Sequence, residues 1–298
     1  MNRNILLTGV SGQVGFELQR ALAPLGPVLT LSRQDCDFAD GAALARTVRE
    51  LCPAIVVNPA AYTAVDKAET EPDLAMAVNG EAPGRLGEAA AAVGALVVHY
   101  STDYVFDGRA NRPYVETDPP NPLSVYGRTK LAGERALQAS GARHLILRTS
   151  WVFGVWGQNF AKTMLRLAAE RERLTVVADQ FGAPTSAALI ADVTAQILGQ
   201  YLRAGCPADF PQGIYHLAAA GETCWHEYAA TVIAAARAAG RSLRLAPDGL
   251  LPIASRDYPT PAPRPANSRL DTRRLRATFG LALPDWRAGL AHVLRQIL

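Results

Sequence analysis

Residues 4–16, NILLTGVSGQVGF, decide the fold. The apolar run over 4–8 reads as a buried strand, and QVGFELQRALAPLG follows it with the apolar spacing of a helix. Between them lie Gly9, Gly12 and Gly15. Glycine has no Cβ, so a turn built this way lets backbone N–H groups approach a pyrophosphate, and the positive end of the following helix favours its charge. The spacing is GxxGxxG rather than the commoner GxGxxG. Its position at the first strand-to-helix junction nevertheless points to a bound dinucleotide.

The pattern continues outward. VLTL (28–31), AIVVN (54–58), ALVVHYS (95–101) and HLILRTS (144–150) read as further strands. The segments GAALARTVRELC, DLAMAVNGEAPGRLGEAAAAVG and VYGRTKLAGERALQAS read as the helices between them. Continuous Val/Ile/Leu runs separated by helices signal a parallel sheet covered on both faces. Beyond about residue 150 the pattern loosens, with helical stretches at NFAKTMLRLAAERE and SAALIADVTAQILGQYL and a late strand at GIYHLA (213–218). The tract 251–269, LPIASRDYPTPAPRPANSR, is proline-rich and reads as a loop near a ligand. The expected class is α/β: a Rossmann-type doubly wound parallel sheet with a smaller mixed α/β C-terminal substrate lobe. Residues 1–150 form the nucleotide-binding part, with segments near 186–218 returning to it, and 151–298 form most of the substrate lobe.

The end of the second strand bears on the cofactor. An acid about twenty residues past the glycines holds the ribose 2′-OH of NAD. That place carries Ser32 and Arg33, which suit a 2′-phosphate and favour NADPH. Asp37 and Phe38 lie close enough in sequence to meet the adenine, which keeps NADH open as an alternative.

Proton chemistry is read from HYSTDYVFDG (99–108) and SVYGRTK (124–130). Tyr126 and Lys130, four apart, share a helical face. A tyrosine of pKa about 10 is a poor acid–base partner near neutrality, and a neighbouring ammonium is expected to lower that value. Thr102, at the C-terminal end of a strand, stands where open α/β sheets bind ligands, and its hydroxyl can donate to a substrate carbonyl. His99, inside an apolar run, reads as a satisfied core residue.

The 298 residues carry a net charge of +3, 19% charged and 49% hydrophobic residues, and scattered basic residues that form no phosphate-tracking run. Nucleic acid is therefore not an expected partner. No stretch approaches the ~20 apolar residues of a membrane helix, and the N-terminal apolar segment is too short for a signal peptide. Cys36, Cys52, Cys206 and Cys224 make no CxxC pair and no metal spacing, which suits a reducing cytoplasm.

The blocks TGVSGQVG, NPAAYTAVDKAE, YSTDYVFDG, NPLSVYGRTKLAGE, RTSWVFG, NFAKTM, DQFGAPTS and RPANSRLDT run through nearly the whole chain. Together they resemble the dTDP-4-dehydrorhamnose reductases of the extended short-chain dehydrogenase/reductase superfamily. The resemblance implies reduction of a nucleotide sugar, the 4-keto group of dTDP-4-dehydro-β-L-rhamnose, by NADPH or NADH. It implies Tyr126 as proton donor, with Thr102 polarising the ketone and Lys130 assisting. By the same resemblance Gly12, Gln13 and Val14 contact the cofactor phosphates, Asp37 and Phe38 lie by the adenine, and Ala61, Tyr62 and Thr63 line the cofactor cleft. Asp103 and Trp151 contact the sugar, and the loop from Arg264 to Arg269 faces the nucleotide diphosphate. Some members dimerise through magnesium held by glutamates, one of them just after the QFGAPT block. Here that block continues with Ala187 and Ala188 and no acid before Asp192, and DWRAGLAHVLRQIL has no glutamate. No structural metal is expected, while a homodimer without one stays open.

Three rival readings share parts of this pattern. A 4,6-dehydratase needs Asp-Glu directly after the threonine, whereas this chain has Asp103-Tyr104. A 4-epimerase keeps its nicotinamide bound and returns the hydride. A non-catalytic regulatory subunit of the methionine adenosyltransferase type has no need of the Thr102, Tyr126 and Lys130 set.

Overall fold

The computed structural model describes residues 3–298. Five strands, β1 (Ile5–Leu7), β2 (Val28–Thr30), β3 (Ile55–Asn58), β4 (Leu96–Thr102) and β5 (Arg143–Thr149), join the strand Gly213–His216 in one sheet. Across that sheet the order is Gly213–His216, β5, β4, β3, β1, β2, and every pairing is parallel.

Side-chain alternation explains the unbroken apolar runs. Ile5, Leu7, Ile55, Val57, Leu96, Val98, Leu145 and Leu147 point into one buried layer with Leu18, Leu22, Ile190 and Ile197. Leu6, Val56, Val97 and Ile146 point into the other, against Leu44, Val48, Leu86 and Leu137. The first layer packs under helices Gln13–Leu22 and Ala187–Arg203, the second under Gly41–Leu51, Ala82–Ala92 and part of Val125–Ala139. A strand buried on both faces has no polar side to show, so it cannot alternate.

The chain leaves β1 for β2 on one side and enters β3 on the other. Strand order therefore reverses at β1, and a crevice opens at the carboxyl ends of β1 and β3. A further core gathers Phe153, Met164, Tyr228, Val232, Trp286 and Leu290 from the C-terminal half. Helix Trp225–Ala238 and the parallel pair Leu174–Val177 with Leu250–Ile253 belong to that half and escaped the sequence reading.

The tract 251–269 is not wholly a loop. Its start is the strand Leu250–Ile253, with Pro252 opposite Val176. A two-stranded ladder leaves one edge unpaired, and proline, with no N–H to donate, is tolerated there. The remainder of the tract, apart from a short turn of helix at Ser255–Asp257, runs as loop over the carboxyl end of the sheet.

Candidate active site

One cleft of about 1020 Å³ opens at the carboxyl ends of the strands. Gly9, Gly12, Gln13, Val14 and Gly15 line it at the β1 turn, and Ser32, Arg33, Asp37 and Phe38 line it beyond β2. Ala61, Tyr62 and Thr63 line it beyond β3, and Thr102, Asp103, Tyr126, Lys130 and Trp151 line its floor and far wall. Residues far apart in the chain are thus collected at one switch point.

The three glycines are needed for different reasons. Gly9 has φ +56°, and a Cβ there would lie 2.6 Å from the Ala60 nitrogen. A Cβ on Gly15 would lie 2.1 Å from the Gly9 carbonyl oxygen, so helix Gln13–Leu22 could not seat on the turn. At Gly12 the nearest protein atom to a Cβ is 3.4 Å away, an ordinary contact. Protein packing therefore does not require glycine at position 12. A ligand lying against the backbone of the helix N-terminus does, which fits a pyrophosphate. The floor gives a second indication of fit: of seven buried side-chain atoms without a hydrogen-bond partner among the described residues, three, Ser101 Oγ, Thr149 Oγ1 and Asp103 Oδ2, belong to residues of this one cleft. Such atoms are costly unless a bound molecule completes them.

At the β2 end, Ser32 donates from both its backbone N–H (2.8 Å) and its hydroxyl (2.6 Å) to the Asp35 carboxylate. These bonds hold Asp35 below the usual carboxylate range. Any 2′-phosphate at Ser32 meets donors already engaged by an acid.

The helix carrying Tyr126 and Lys130 spans Val125–Ala139. Ser124 caps it, accepting from Gly127 N at 3.1 Å, and Glu69 accepts from Val125 N at 2.8 Å. Gly127 lets the first turn press on the Tyr104 carbonyl, where a Cβ would come within 2.2 Å. Tyr126 meets Tyr104 edge to face, with ring centroids 5.5 Å apart.

The electrostatics differ from the expected ammonium-tuned phenol. Burial pushes Tyr126 up to about 12, partly offset by its hydrogen bond with Thr102. Lys130 donates to the Tyr100 carbonyl at 2.7 Å and faces His99 Nε2 at 3.3 Å. Burial lowers Lys130 to about 8, with Glu134 opposing. The expected lowering of the phenol is not met here: desolvation of the buried phenolate dominates, and Lys130, turned to the Tyr100 carbonyl and His99, is not among the groups that shift it. The phenol stays protonated at neutral pH, the state a proton donor requires. Asp103 accepts from Thr102 at 3.2 Å and is pushed up to about 6 by burial, against hydrogen bonds from Ser268 and Thr102.

Trp151 has φ +49°, an uncommon conformation for a bulky residue. Packing holds it there. Its ring stacks on Trp225 with centroids 3.6 Å apart, and a Cβ on Gly182 would lie 2.6 Å from it.

Arg264 and Arg269 do not line the cleft. Arg264 pairs with Asp66 at 2.8 Å and Arg269 with Glu222 at 2.9 Å. The loop that bears them reaches the floor instead through Ser268, which lowers the Asp103 carboxyl against its burial. Sequence reading also missed Asn79. Its side chain accepts from Tyr62 N (2.8 Å) and donates to Tyr62 O (3.0 Å) and Thr129 Oγ1 (3.3 Å). It thereby ties the loop beyond β3 to the Tyr126 helix. Asn79 sits in a π-helical turn, Ala77–Glu81, and the signal was an Asn-Gly pair inside an Ala-rich helix. Among the described residues no cluster of three or more His, Cys, Asp or Glu is arranged to hold a metal; Asp192 is paired with Arg20 at 2.9 Å.

The RmlD substrate binding domain model matches residues 3–298. A dTDP-4-dehydrorhamnose reductase from Shigella flexneri is 52% identical over 298 residues, covering 99% of this chain and 98% of that one. The chain belongs to the dTDP-4-dehydrorhamnose reductase family. Among solved members of the family, the Clostridium acetobutylicum reductase superposes with TM-score 0.89 at 36% identity, over 99% of both chains. The Bacillus anthracis reductase, in complex with NADP, superposes with TM-score 0.86 at 33% identity, over 99% of this chain and 100% of that one.

Proposed function

We propose that this chain reduces the 4-keto group of dTDP-4-dehydro-β-L-rhamnose to give dTDP-L-rhamnose. It is an oxidoreductase that takes NADPH, with NADH as an alternative. The observation that carries this reading is the meeting of Thr102, Tyr126 and Lys130 in one cleft with the Gly9–Gly15 turn, in a chain 52% identical to a reductase of that name over 99% of its length.

When bound, the cofactor supplies a hydride from its nicotinamide to C4 of the sugar. Gly12, Gln13 and Val14 would hold its pyrophosphate at the helix N-terminus, and Ser32, Arg33, Asp37 and Phe38 would take its adenosine. Ala61, Tyr62 and Thr63 wall the cleft between. Thr102 and Tyr126 converge on the ketone oxygen. As negative charge grows there, Tyr126 gives its proton to that oxygen, and the Lys130 ammonium stabilises the phenolate left behind. Asp103 and Trp151 contact the sugar, Trp151 as a flat apolar wall and Asp103 through its unpartnered oxygen. The part formed by 151–298 supplies most of the sugar-binding surface, apart from the stretch near 186–218. Cys36, Cys206 and Cys224 carry free thiols, in keeping with our placement of the enzyme in a reducing cytoplasm. No helix of the described residues is long and apolar enough to cross a membrane. A homodimer needs no metal bridge in this reading.

Tyr104 stands where a dehydratase needs its glutamate, so water elimination lacks its base. The decisive assay supplies dTDP-4-dehydro-6-deoxy-glucose and a 3,5-epimerase and follows nicotinamide absorbance with each cofactor. Oxidation stoichiometric with the keto sugar is expected, and a flat trace with both cofactors contradicts the reading.

A further inference from the structure

A line of buried polar side chains crosses the sheet beneath the cleft. Thr8 follows β1, Asn58 ends β3, and His99 lies in β4 directly beside Asn58. Thr8, Asn58 and His99 are 0%, 1% and 0% exposed, and Lys130 is 2% exposed. Thr8 Oγ1 donates to Asn58 Oδ1 at 2.6 Å, Asn58 Nδ2 meets His99 Nδ1 at 3.1 Å, and His99 Nε2 meets Lys130 Nζ at 3.3 Å. The flanking layers are Ile, Leu and Val, so apolar residues would fill these places at lower cost. A buried polar chain that ends on a lysine of the active site calls for a role.

We propose that His99 is a positioning residue for Lys130, the end of a Thr8–Asn58–His99 chain that holds the Lys130 ammonium in place while Tyr126 gives up its proton. The inference rests on the reading of Lys130 given above. The chemistry lies in the direction of the hydrogen bonds. A neutral imidazole carries one proton. If Asn58 donates to Nδ1, the proton is on Nε2 and suits an amine. If the Asn58 amide is turned over and accepts from Nδ1–H, Nε2 presents a lone pair to an ammonium. Thr8 can donate or accept, so the chain is satisfied both ways, and its polarity follows the charge on Lys130.

The other groups around Lys130 do not replace this partner. From β4 the Tyr100 carbonyl accepts one of its protons. From its own helix come Glu134, bound bidentately by Arg148 of β5, and Tyr126, a neutral phenol. His99 itself stays neutral, because burial and the neighbouring Lys130 hold it well below the usual histidine range. Hydrogen bonds to a charged donor are about twice as strong as neutral ones. Removing the imidazole therefore costs the ammonium more than the amine.

The chain has three lysines, Lys67, Lys130 and Lys162, so lysine labelled with ¹³C at Cε gives three assignable NMR signals. The Lys130 signal is titrated in the full-length protein without cofactor, in wild type, His99→Leu and His99→Gln. His99→Leu is expected to lower the Lys130 midpoint by about one pH unit, a tenfold loss of proton affinity. His99→Gln, whose carboxamide reaches toward Nζ, is expected to stay within a few tenths of wild type. The alkaline limb of kcat should move with the NMR midpoint. If His99→Leu does not fold, His99→Asn, which keeps the Asn58 contact but falls short of Lys130, is expected to show the same drop. Unchanged midpoints in the folded variants overturn this inference and leave the reductase reading standing. Absence of keto-sugar reduction by the wild type overturns that reading and the role of Lys130 with it, whatever the titrations show.

Discussion

The helix Val125–Ala139 touches two buried polar clusters that are built on opposite terms. Two turns in, Glu134 accepts from Arg148 at 2.9 and 2.6 Å, and both side chains are at most 2% exposed. The Arg148 guanidinium also lies over the Phe106 ring, 5.1 Å from its centroid. At the helix start, the Tyr126 phenol meets Thr102 and Asp103, an acid with no cation bonded to it and one oxygen without a partner. The first cluster pairs its two charges within the protein, leaving Arg148 Nη1 without a hydrogen-bond partner, and joins helix to sheet. The second is left incomplete toward a cleft. Burial alone therefore does not mark function, nor does one unpartnered atom, since Arg148 Nη1, His216 Nε2, Tyr228 Oη and Trp286 Nε1 also lack partners away from the cleft; several such atoms gathered in one cleft do.

Each of the following variants presses on that contrast. The largest effect is expected at the paired cluster. Glu134→Ala strands a buried guanidinium and should destabilise the fold by about 3–5 kcal/mol, read by chemical denaturation, while residual activity tracks the folded fraction. A small stability change would mean that the pair is hydrated or dispensable. Tyr126→Phe should lower turnover by about 10²-fold or more, with cofactor affinity and stability nearly kept.

Asp103→Asn should invert the usual cost of a buried mutation. The folded pKa of Asp103 is raised from 3.8 to about 6. Its stabilising form is the protonated acid, whose contribution is complete below about pH 4 and lost as pH rises through about 6. The asparagine variant cannot charge. Its stability should stay flat across that window and exceed wild type at pH 7 by about 1–3 kcal/mol, even as sugar binding weakens. A parallel pH–stability curve would mean that folding does not raise the Asp103 pKa, and would contradict the desolvation assigned to it. The smallest effect belongs to Trp225→Ala. It removes the ring stacked on Trp151 and should raise the KM for the keto sugar about 2- to 10-fold, leaving cofactor KM unchanged.

Legibility followed the same division. The sheet could be read because Ile, Leu and Val fill strands buried on both faces, and such runs have one good explanation. The Gly9–Gly15 turn and the Tyr126–Lys130 spacing were readable because each is local in sequence. What could not be read depends on contacts between distant segments. Asn79 joins Tyr62 to Thr129, Ser268 reaches Asp103, and Asp35 folds back onto Ser32. No periodicity encodes these. The phenol's raised pKa was missed for a related reason: i, i+4 spacing gives a shared face but not the degree of desolvation. Arg264 and Arg269 misled because a loop arginine suits a phosphate and a carboxylate equally well, and here Asp66 and Glu222 hold them. Pro252 concealed a strand because only an edge admits it.

A crystal structure with NADP and dTDP-L-rhamnose bound tests the central claim most directly. Ser101 Oγ, Thr149 Oγ1 and Asp103 Oδ2 should each gain a partner from ligand or ligand-ordered water. The Tyr126 hydroxyl should lie about 3 Å from the sugar O4. Ligands seated elsewhere, with those three atoms still unpartnered and Tyr126 remote from O4, would contradict it.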